Sequence, residues 1–346
     1  MTDDGAGGGR LVIRAPNHLG ELILALPAIR HAASVEARAG RRMWVQVAAW
    51  LTPILELADL DVDILPLDDR RALRQAARQV AGTEAKRGIL LTPSASSAII
   101  FRLAGLRERR GTAGGMRTWL LTDPVPRGPL LEGHRVHEFL ALVGGNTEGE
   151  PPAPRLHAPD GGSGPSRAAG DKMVGLFPGA NGDSRRWPAG RFSALAGRLA
   201  ASGRRVLVLG GPGEEGLTEI VAAAGSAAGE CEDLGGRTSI RDLATVLAGC
   251  DALVTNDTGP MHLAAALGTA VVALEGPADV RQTRPLGPRV RLVGRFDLPC
   301  VPCVRNRCPR KGPGTELTKS YNECMWLIEV DEVERVVEEL LDWGTR

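Results

Sequence analysis

The sequence contains few aromatic residues, little lysine and almost no net charge. Phe, Trp and Tyr make up 3% of the 346 residues, and the formal net charge is +1. Only four of the 42 basic residues are lysines. Because binding to nucleic acid depends largely on an excess of positive charge, this balance excludes a protein that relies on bulk electrostatics for such binding. We expect no nucleic acid partner.

Long apolar runs and an export signal are also missing. The apolar runs, such as Leu22 to Ile29, are far shorter than the roughly 20 residues that a membrane-spanning helix needs. The first ten residues have neither the basic nor the apolar segment of a signal peptide. We therefore expect a cytoplasmic protein, and any contact with a membrane would be peripheral.

The chain is long enough for two α/β domains of ordinary size. Short segments rich in branched residues alternate with helical patterns, which is typical of parallel sheets. We predict a first Rossmann-like domain over residues 1–147 and a linker over 148–171, which is rich in Gly, Pro and Ser. A second Rossmann-like domain would cover 172–328, and a final helix would lie within 329–346.

A short strand running into a helix marks the centre of the second domain. The strand pattern ends near Val254, and Pro260 suits the first helical turn, so Thr258 or Gly259 is the predicted N-cap. The N–H groups at the start of such a helix favour an anion such as a diphosphate. Asp257 would repel an anion, so we expect it to accept hydrogen bonds from sugar hydroxyls. The alternative is that it only caps the helix.

A similar strand, loop and helix open the first domain. The strand covers residues 10–15, and the helix is predicted from Glu21 to Val35. Glu21 would then lie at the carboxyl end of the strand, where open α/β sheets bind ligands. It could instead only complement the helix dipole. The basic loop 111–117 and His134 could line an acceptor site, with a solvated loop as the alternative.

Two loops of the second domain carry charged residues next to glycines. Arg185 and Arg186 follow a predicted strand and could neutralise a phosphate, or lie on a solvated loop. Residues 211–216 fit the pattern G-x-G-x-x-G of a dinucleotide-binding turn. Glu214 and Glu215 crowd the phosphate position of that turn. A nucleotide-dependent oxidoreductase therefore remains a minority interpretation.

Four cysteines form a C-x2-C-x4-C-x15-C array, at Cys300, Cys303, Cys308 and Cys324. The first pair has the spacing of metal ligands, and disulfides are not expected in a cytoplasmic chain. The array predicts a structural zinc or iron site, with free thiols as the alternative. No ligand position would be left open for catalysis.

Taken together, these motifs resemble the bacterial heptosyltransferases of glycosyltransferase family 9, and most closely the lipopolysaccharide heptosyltransferase II type. The resemblance covers nearly the whole chain. It rests on the segment from Arg14 to Glu21 with the Leu-Pro-Ala that follows, on Pro178 to Pro188, on Asn256 to His262, and on the cysteine array.

The resemblance implies a GT-B fold, in which two Rossmann-like domains face a central cleft and the final helix packs back on the first domain. It also implies an inverting transfer of heptose from ADP-L-glycero-D-manno-heptose to a hydroxyl of the lipopolysaccharide inner core, without a metal in catalysis. The acceptor would be lipid-linked and would bind the first domain, whereas ADP-heptose would bind the second.

The site residues follow from the matched motifs. Glu21 would be the general base, although the family usually has aspartate there, and Arg185 stands where lysine is usual. The donor would be bound by Gly20, Arg185, Arg186, Glu214, Glu215, Asp257, Thr258, Gly259 and His262. The acceptor would be bound by Asn17, His18, Arg117 and His134.

Two further alternatives stay open. The chain could be a glycosyltransferase of the same family with a different sugar or acceptor. It could also be a catalytically silent nucleotide-sugar binder, because Glu21 departs from the usual aspartate.

Overall fold

The structure, a computed structural model, describes residues 9–69, 72–128, 132–159, 170–309 and 321–342. The chain divides into two compact units, residues 1–157 and 158–346. This division falls within the predicted linker 148–171, of which residues 160–169 lie outside the described part of the chain.

The first unit is built on a parallel sheet of six strands in the order β3-β2-β1-β4-β5-β6. Its strands are β1 (Leu11–Arg14), β2 (Trp44–Ala48), β3 (Asp63–Leu67), β4 (Arg87–Leu90), β5 (Glu108–Thr112) and β6 (Asp123–Val125). Its helices are α1 (Leu19–Arg38), α2 (Thr52–Leu57), α3 (Leu73–Gly82), α4 (Ala95–Leu103) and α5 (Arg135–Leu142), with 3₁₀ turns at Ala49–Leu51 and Gly115–Leu120.

The second unit repeats this architecture. Its sheet has the order β12-β11-β10-β7-β8-β9, again with parallel pairing throughout. The strands are β7 (Met173–Phe177), β8 (Arg205–Val208), β9 (Cys231–Asp233), β10 (Ala252–Asn256), β11 (Ala270–Glu275) and β12 (Val290–Gly294). The helices are α6 (Ala189–Ala201), α7 (Glu215–Ser226), α8 (Ile240–Gly249), α9 (Gly259–Leu267), α10 (Val280–Thr283), α11 (Glu323–Trp326) and α12 (Val330–Asp342), with a 3₁₀ turn at Asp183–Arg185.

Both sheets have the strand order of a doubly wound Rossmann fold, in which the direction of winding reverses beside the first strand. Here β1 and β7 are those first strands, each buried on both faces by the helices. The prediction of an α/β chain with two Rossmann-like units is confirmed. Ligands of such sheets bind at the carboxyl ends of the strands next to the reversal, which are the ends of β1, β4, β7 and β10.

The final helix forms part of the core of the second unit. The apolar side chains of α12, including Val333, Val337 and Leu340, lie in the core of the second unit with strands β10 and β11 and helix α6. Arg204 also donates a hydrogen bond to Glu338 at 2.7 Å. This packing buries its apolar stripe against the second sheet. That the helix also packs back on the first domain stays a prediction. No described helix is both long and apolar enough to cross a membrane.

Candidate active site

The centre of the second unit has the predicted strand and helix. β10 ends at Asn256, and α9 begins at Gly259 with Thr258 as its N-cap in an extended conformation. The Thr258 hydroxyl does not cap the helix but lies 3.1 Å from the hydroxyl of Thr255. The N–H groups of the first turn of α9 therefore face the carboxyl edge of the sheet without a side-chain cap, which is the arrangement that favours an anion. His262 is buried within this helix.

Asn256 fixes the loop that carries the two arginines. Its side chain is fully buried, and its amide nitrogen donates to the carbonyl oxygens of Pro178 at 2.8 Å and Gly179 at 3.2 Å. Its amide oxygen accepts a hydrogen bond of 3.0 Å from the backbone N–H of Trp187. Both ends of the loop are thus held to the end of β10. Sequence analysis missed this role, since it depends on three backbone partners that are distant in the chain.

The two arginines of this loop point to different partners. Arg185 Nη1 lies 3.1 Å from Asp257 Oδ2, so the guanidinium is held next to the N-terminus of α9. Arg186 instead donates from Nε and Nη2 to the carbonyl oxygen of Ala180, at 3.0 and 2.8 Å. The structure therefore places Arg185 in the candidate anion site, whereas Arg186 is occupied in holding its own loop.

A second buried carboxylate accompanies Asp257. Glu275, the last residue of β11, keeps only 1% of its surface exposed. Burial, and then the charge of Asp257, raise the pKa of Glu275 well above its usual value, while Arg185 opposes the shift. Burial also raises the pKa of Asp257, against the charge of Arg185. Sequence analysis did not find Glu275; an acidic residue at the end of an otherwise apolar strand was the available signal.

Glu214 and Glu215 occupy the glycine-rich turn. Glu214 Oε2 accepts a hydrogen bond of 2.8 Å from the N–H of Gly211, and any side chain at Gly179 would collide with the Glu214 carboxylate. Glu215 Oε1 accepts from the N–H of Gly213 at 3.1 Å. Two N–H groups that a dinucleotide phosphate would need are thus occupied by carboxylates. This geometry disfavours the oxidoreductase interpretation and leaves Glu214 beside the loop after β7.

In the first unit, Glu21 lies in the first turn of α1 and faces helix α5. Its Oε1 is 3.6 Å from Nε of Arg135, which also binds Glu138 through Nη1. Burial raises the pKa of Glu21, the charge of Glu138 adds to the rise, and Arg135 and His18 oppose it. The Glu21 side chain still keeps 34% of its area exposed. A carboxylate that is raised in pKa, oriented by a cation and open on one side is suited to remove a proton.

The candidate acceptor residues have unequal surroundings. Asn17 accepts a hydrogen bond from the buried Arg14, and His18 is exposed at the N-cap of α1. Gly20 lies in the first turn of the same helix, in the first unit. These residues adjoin Glu21 along the chain.

Arg117 and His134 are occupied by contacts within the fold. Arg117 is 4% exposed and donates to the carbonyl oxygens of Thr92, at 2.9 Å, and Thr112. Burial, and then the charge of Arg127, lower the pKa of Arg117 to about 10. His134 is buried and caps α5 by accepting at Nδ1 from the N–H of Val136, at 3.3 Å. Their binding of an acceptor remains a prediction.

The segments that carry the cysteine array are hydrogen-bonded to the loop that carries Arg185 and Arg186. Ser184 donates from its N–H to the carbonyl oxygen of Asn306 at 3.3 Å, and Asn322 donates to the carbonyl oxygen of Asp183 at 2.9 Å. Cys324 is buried, and burial, followed by the charges of the other three thiols of the array, raises its pKa to about 11.

The four thiols are not arranged as metal ligands. Within the described residues, no group of three or more His, Cys, Asp or Glu side chains is placed to hold a metal ion. The geometry therefore does not support the predicted zinc or iron site at Cys300, Cys303, Cys308 and Cys324. What the structure does give this segment is a role in supporting the arginine loop.

Comparison with known proteins identifies the family. Residues 72–312 match the model of glycosyltransferase family 9 (heptosyltransferase). The chain is 28% identical to lipopolysaccharide heptosyltransferase 2 of Escherichia coli K12 over 314 residues, which cover 82% of this chain and 87% of that protein.

Solved structures have the same fold. E. coli ADP-heptose lipopolysaccharide heptosyltransferase II superposes with a TM-score of 0.78 at 23% identity, over 97% of this chain and all of that one. The E. coli heptosyltransferase WaaC, solved with ADP-2-deoxy-2-fluoro heptose, gives a TM-score of 0.66 at 20% identity over 95% and 99% of the two chains. The protein has the GT-B fold and belongs to glycosyltransferase family 9, the heptosyltransferases.

Proposed function

We propose that the protein transfers heptose from ADP-L-glycero-D-manno-heptose to a hydroxyl of the lipopolysaccharide inner core, with inversion at the anomeric carbon. The observation that carries the proposal is the pair of Arg185 and Asp257, 3.1 Å apart beside the uncapped first turn of α9. A cation and free N–H groups suit a diphosphate, and a carboxylate beside them suits sugar hydroxyls.

Glu21 is the general base in this mechanism. It takes the proton of the acceptor hydroxyl, whose oxygen attacks the anomeric carbon from the face opposite ADP. The raised pKa of Glu21 makes it a stronger base than an ordinary glutamate, and Arg135 keeps it oriented. Gly20 and the exposed His18 adjoin this carboxylate.

The leaving ADP gains negative charge as the glycosidic bond breaks. Arg185 and the N–H groups of Thr258 and Gly259 are fixed donors that would stabilise this charge. Glu214, beside the loop after β7, would accept hydrogen bonds from the ribose. Because these protein groups neutralise the diphosphate, the proposed reaction needs no metal for catalysis.

The first unit carries a surface suited to the lipid environment of such an acceptor. Trp119 and Met116 each keep 87% of their area exposed, on the 3₁₀ turn Gly115–Leu120. Arg109 donates to the carbonyl oxygen of Leu120 at 2.7 Å, and α4, which packs against this turn, carries Arg102. Exposed Trp and Met beside arginines favour peripheral contact with an anionic leaflet on the cytoplasmic side of the membrane.

The central experiment measures ADP release from ADP-heptose, with and without a core oligosaccharide that contains heptose and Kdo. We expect release to depend on the acceptor and to fall about 10²–10⁴-fold in Glu21→Gln, with unchanged binding of ADP-heptose. Glu148→Gln, the same change at an exposed glutamate of the first unit, serves as the control. Binding of ADP-heptose without release would favour another acceptor or a silent binder. Absence of binding would refute the proposed donor.

A further inference from the structure

Glu275 is an acidic side chain in the core of the second unit that the proposed mechanism does not use. Leu274 of β11 is opposite Asn256 of β10, so Glu275 follows beside Asp257 at the carboxyl edge of the sheet. Glu275 is 1% exposed, and its Oε2 has no hydrogen-bond partner within the described part of the chain. A buried, unpaired carboxyl oxygen is costly, which calls for a compensating role.

The charges around Glu275 explain how it can be tolerated. Two carboxyl groups, Asp257 and Glu275, share one cation, Arg185, whose Nη1 is 3.1 Å from Asp257. If both carboxyls were ionised, the three side chains would carry a net negative charge where a diphosphate must bind. Burial of two neighbouring carboxyls favours the retention of one proton between them, and a protonated carboxyl can donate a hydrogen bond.

We propose that Glu275 is a positioning residue for the donor, a neutral carboxyl that supports the Asp257 carboxylate and leaves the charge of Arg185 available to the diphosphate. This role rests on the proposed function, because it acts on the donor through Asp257 and Arg185. Glu275 acts without touching the substrate, since its side chain is shielded from solvent.

Two substitutions of similar size separate this role from simple packing. Glu275→Gln keeps a neutral group that donates a hydrogen bond, whereas Glu275→Met keeps the volume but removes the polar atoms. We expect the Gln variant to retain the affinity for ADP-heptose within about threefold, and the Met variant to lose about 10–100-fold. The KM for the acceptor should not change in either variant.

The experiment is titration calorimetry with ADP-heptose, followed by steady-state kinetics. If Glu275 acts through Asp257, the effect of Glu275→Met disappears in an Asp257→Asn background. Should the Met variant fail to fold, as judged by thermal unfolding, Glu275→Ala replaces it in the same comparison. Equal affinities of the Gln and Met variants would overturn the role of Glu275 alone. Absence of ADP-heptose binding by the unchanged protein would overturn the proposed function as well.

Discussion

Replacing Asn256 by alanine should both destabilise the second unit and weaken donor binding. The side chain is fully buried and makes three hydrogen bonds, two to the carbonyl oxygens of Pro178 and Gly179 and one from the N–H of Trp187. At about 1 kcal/mol net for each bond, Asn256→Ala should lower the free energy of unfolding by about 3 kcal/mol. For a unit of this size, that loss corresponds to a fall of roughly 6–12 °C in its melting temperature.

The same substitution frees both ends of the loop that holds Arg185. We therefore expect the affinity for ADP, measured by calorimetry at a temperature where the variant is folded, to fall by roughly tenfold or more. The control is Asn146→Ala, which removes an exposed asparagine of the first unit and should change the stability by less than about 0.5 kcal/mol. An Asn256→Ala protein with the stability and ADP affinity of the control would refute the reasoning.

Three further predictions follow from the same geometry. Arg135→Gln removes the cation 3.6 Å from Glu21, so the pKa of Glu21 should rise further. Because the base must be ionised, the fall of kcat/KM at low pH should then begin at a higher pH. An unchanged pH profile would argue against Glu21 as the base. Arg185→Gln should raise the KM for ADP-heptose about 10–100-fold, and an unchanged KM would remove Arg185 from the donor site. Replacing Trp119 by serine should abolish sedimentation of the protein with phosphatidylglycerol vesicles. The control is Ile220→Ser, which changes an apolar side chain that is 61% exposed in the second unit and should leave sedimentation unchanged. Equal sedimentation of both variants would contradict membrane contact through Trp119.

Much of the fold could be predicted because it is encoded in local patterns. The strand near Val254 and the helix around Pro260 follow from apolar runs and from the fixed φ of proline. Of the two predicted N-cap candidates, Thr258 and Gly259, the structure has Thr258. The pattern of α12 predicted a helix with one apolar face. It could not predict which sheet covers that face, since amphipathicity specifies burial but not a partner.

The candidate site could be predicted only in part, for a related reason. Arg185 and Asp257 meet because both follow strands that end at the same edge of the second sheet. Glu275 depends on strand register, which no short motif reports. Arg117 looked like a binding residue because it lies in a basic loop, yet the carbonyl oxygens of Thr92 and Thr112 already accept its hydrogen bonds.

The position of α12 has a consequence for engineering and for evolution. Since this helix completes the core of the second unit, the described sheet, core and capping helices of each half come from one uninterrupted stretch of chain. A single crossover between His157 and Ala158 would therefore exchange a whole half without cutting through a core. Under the proposed function, acceptor preference could change by recombination of halves while the half proposed to bind the donor is inherited intact, so that one nucleotide-sugar module could serve many acceptors.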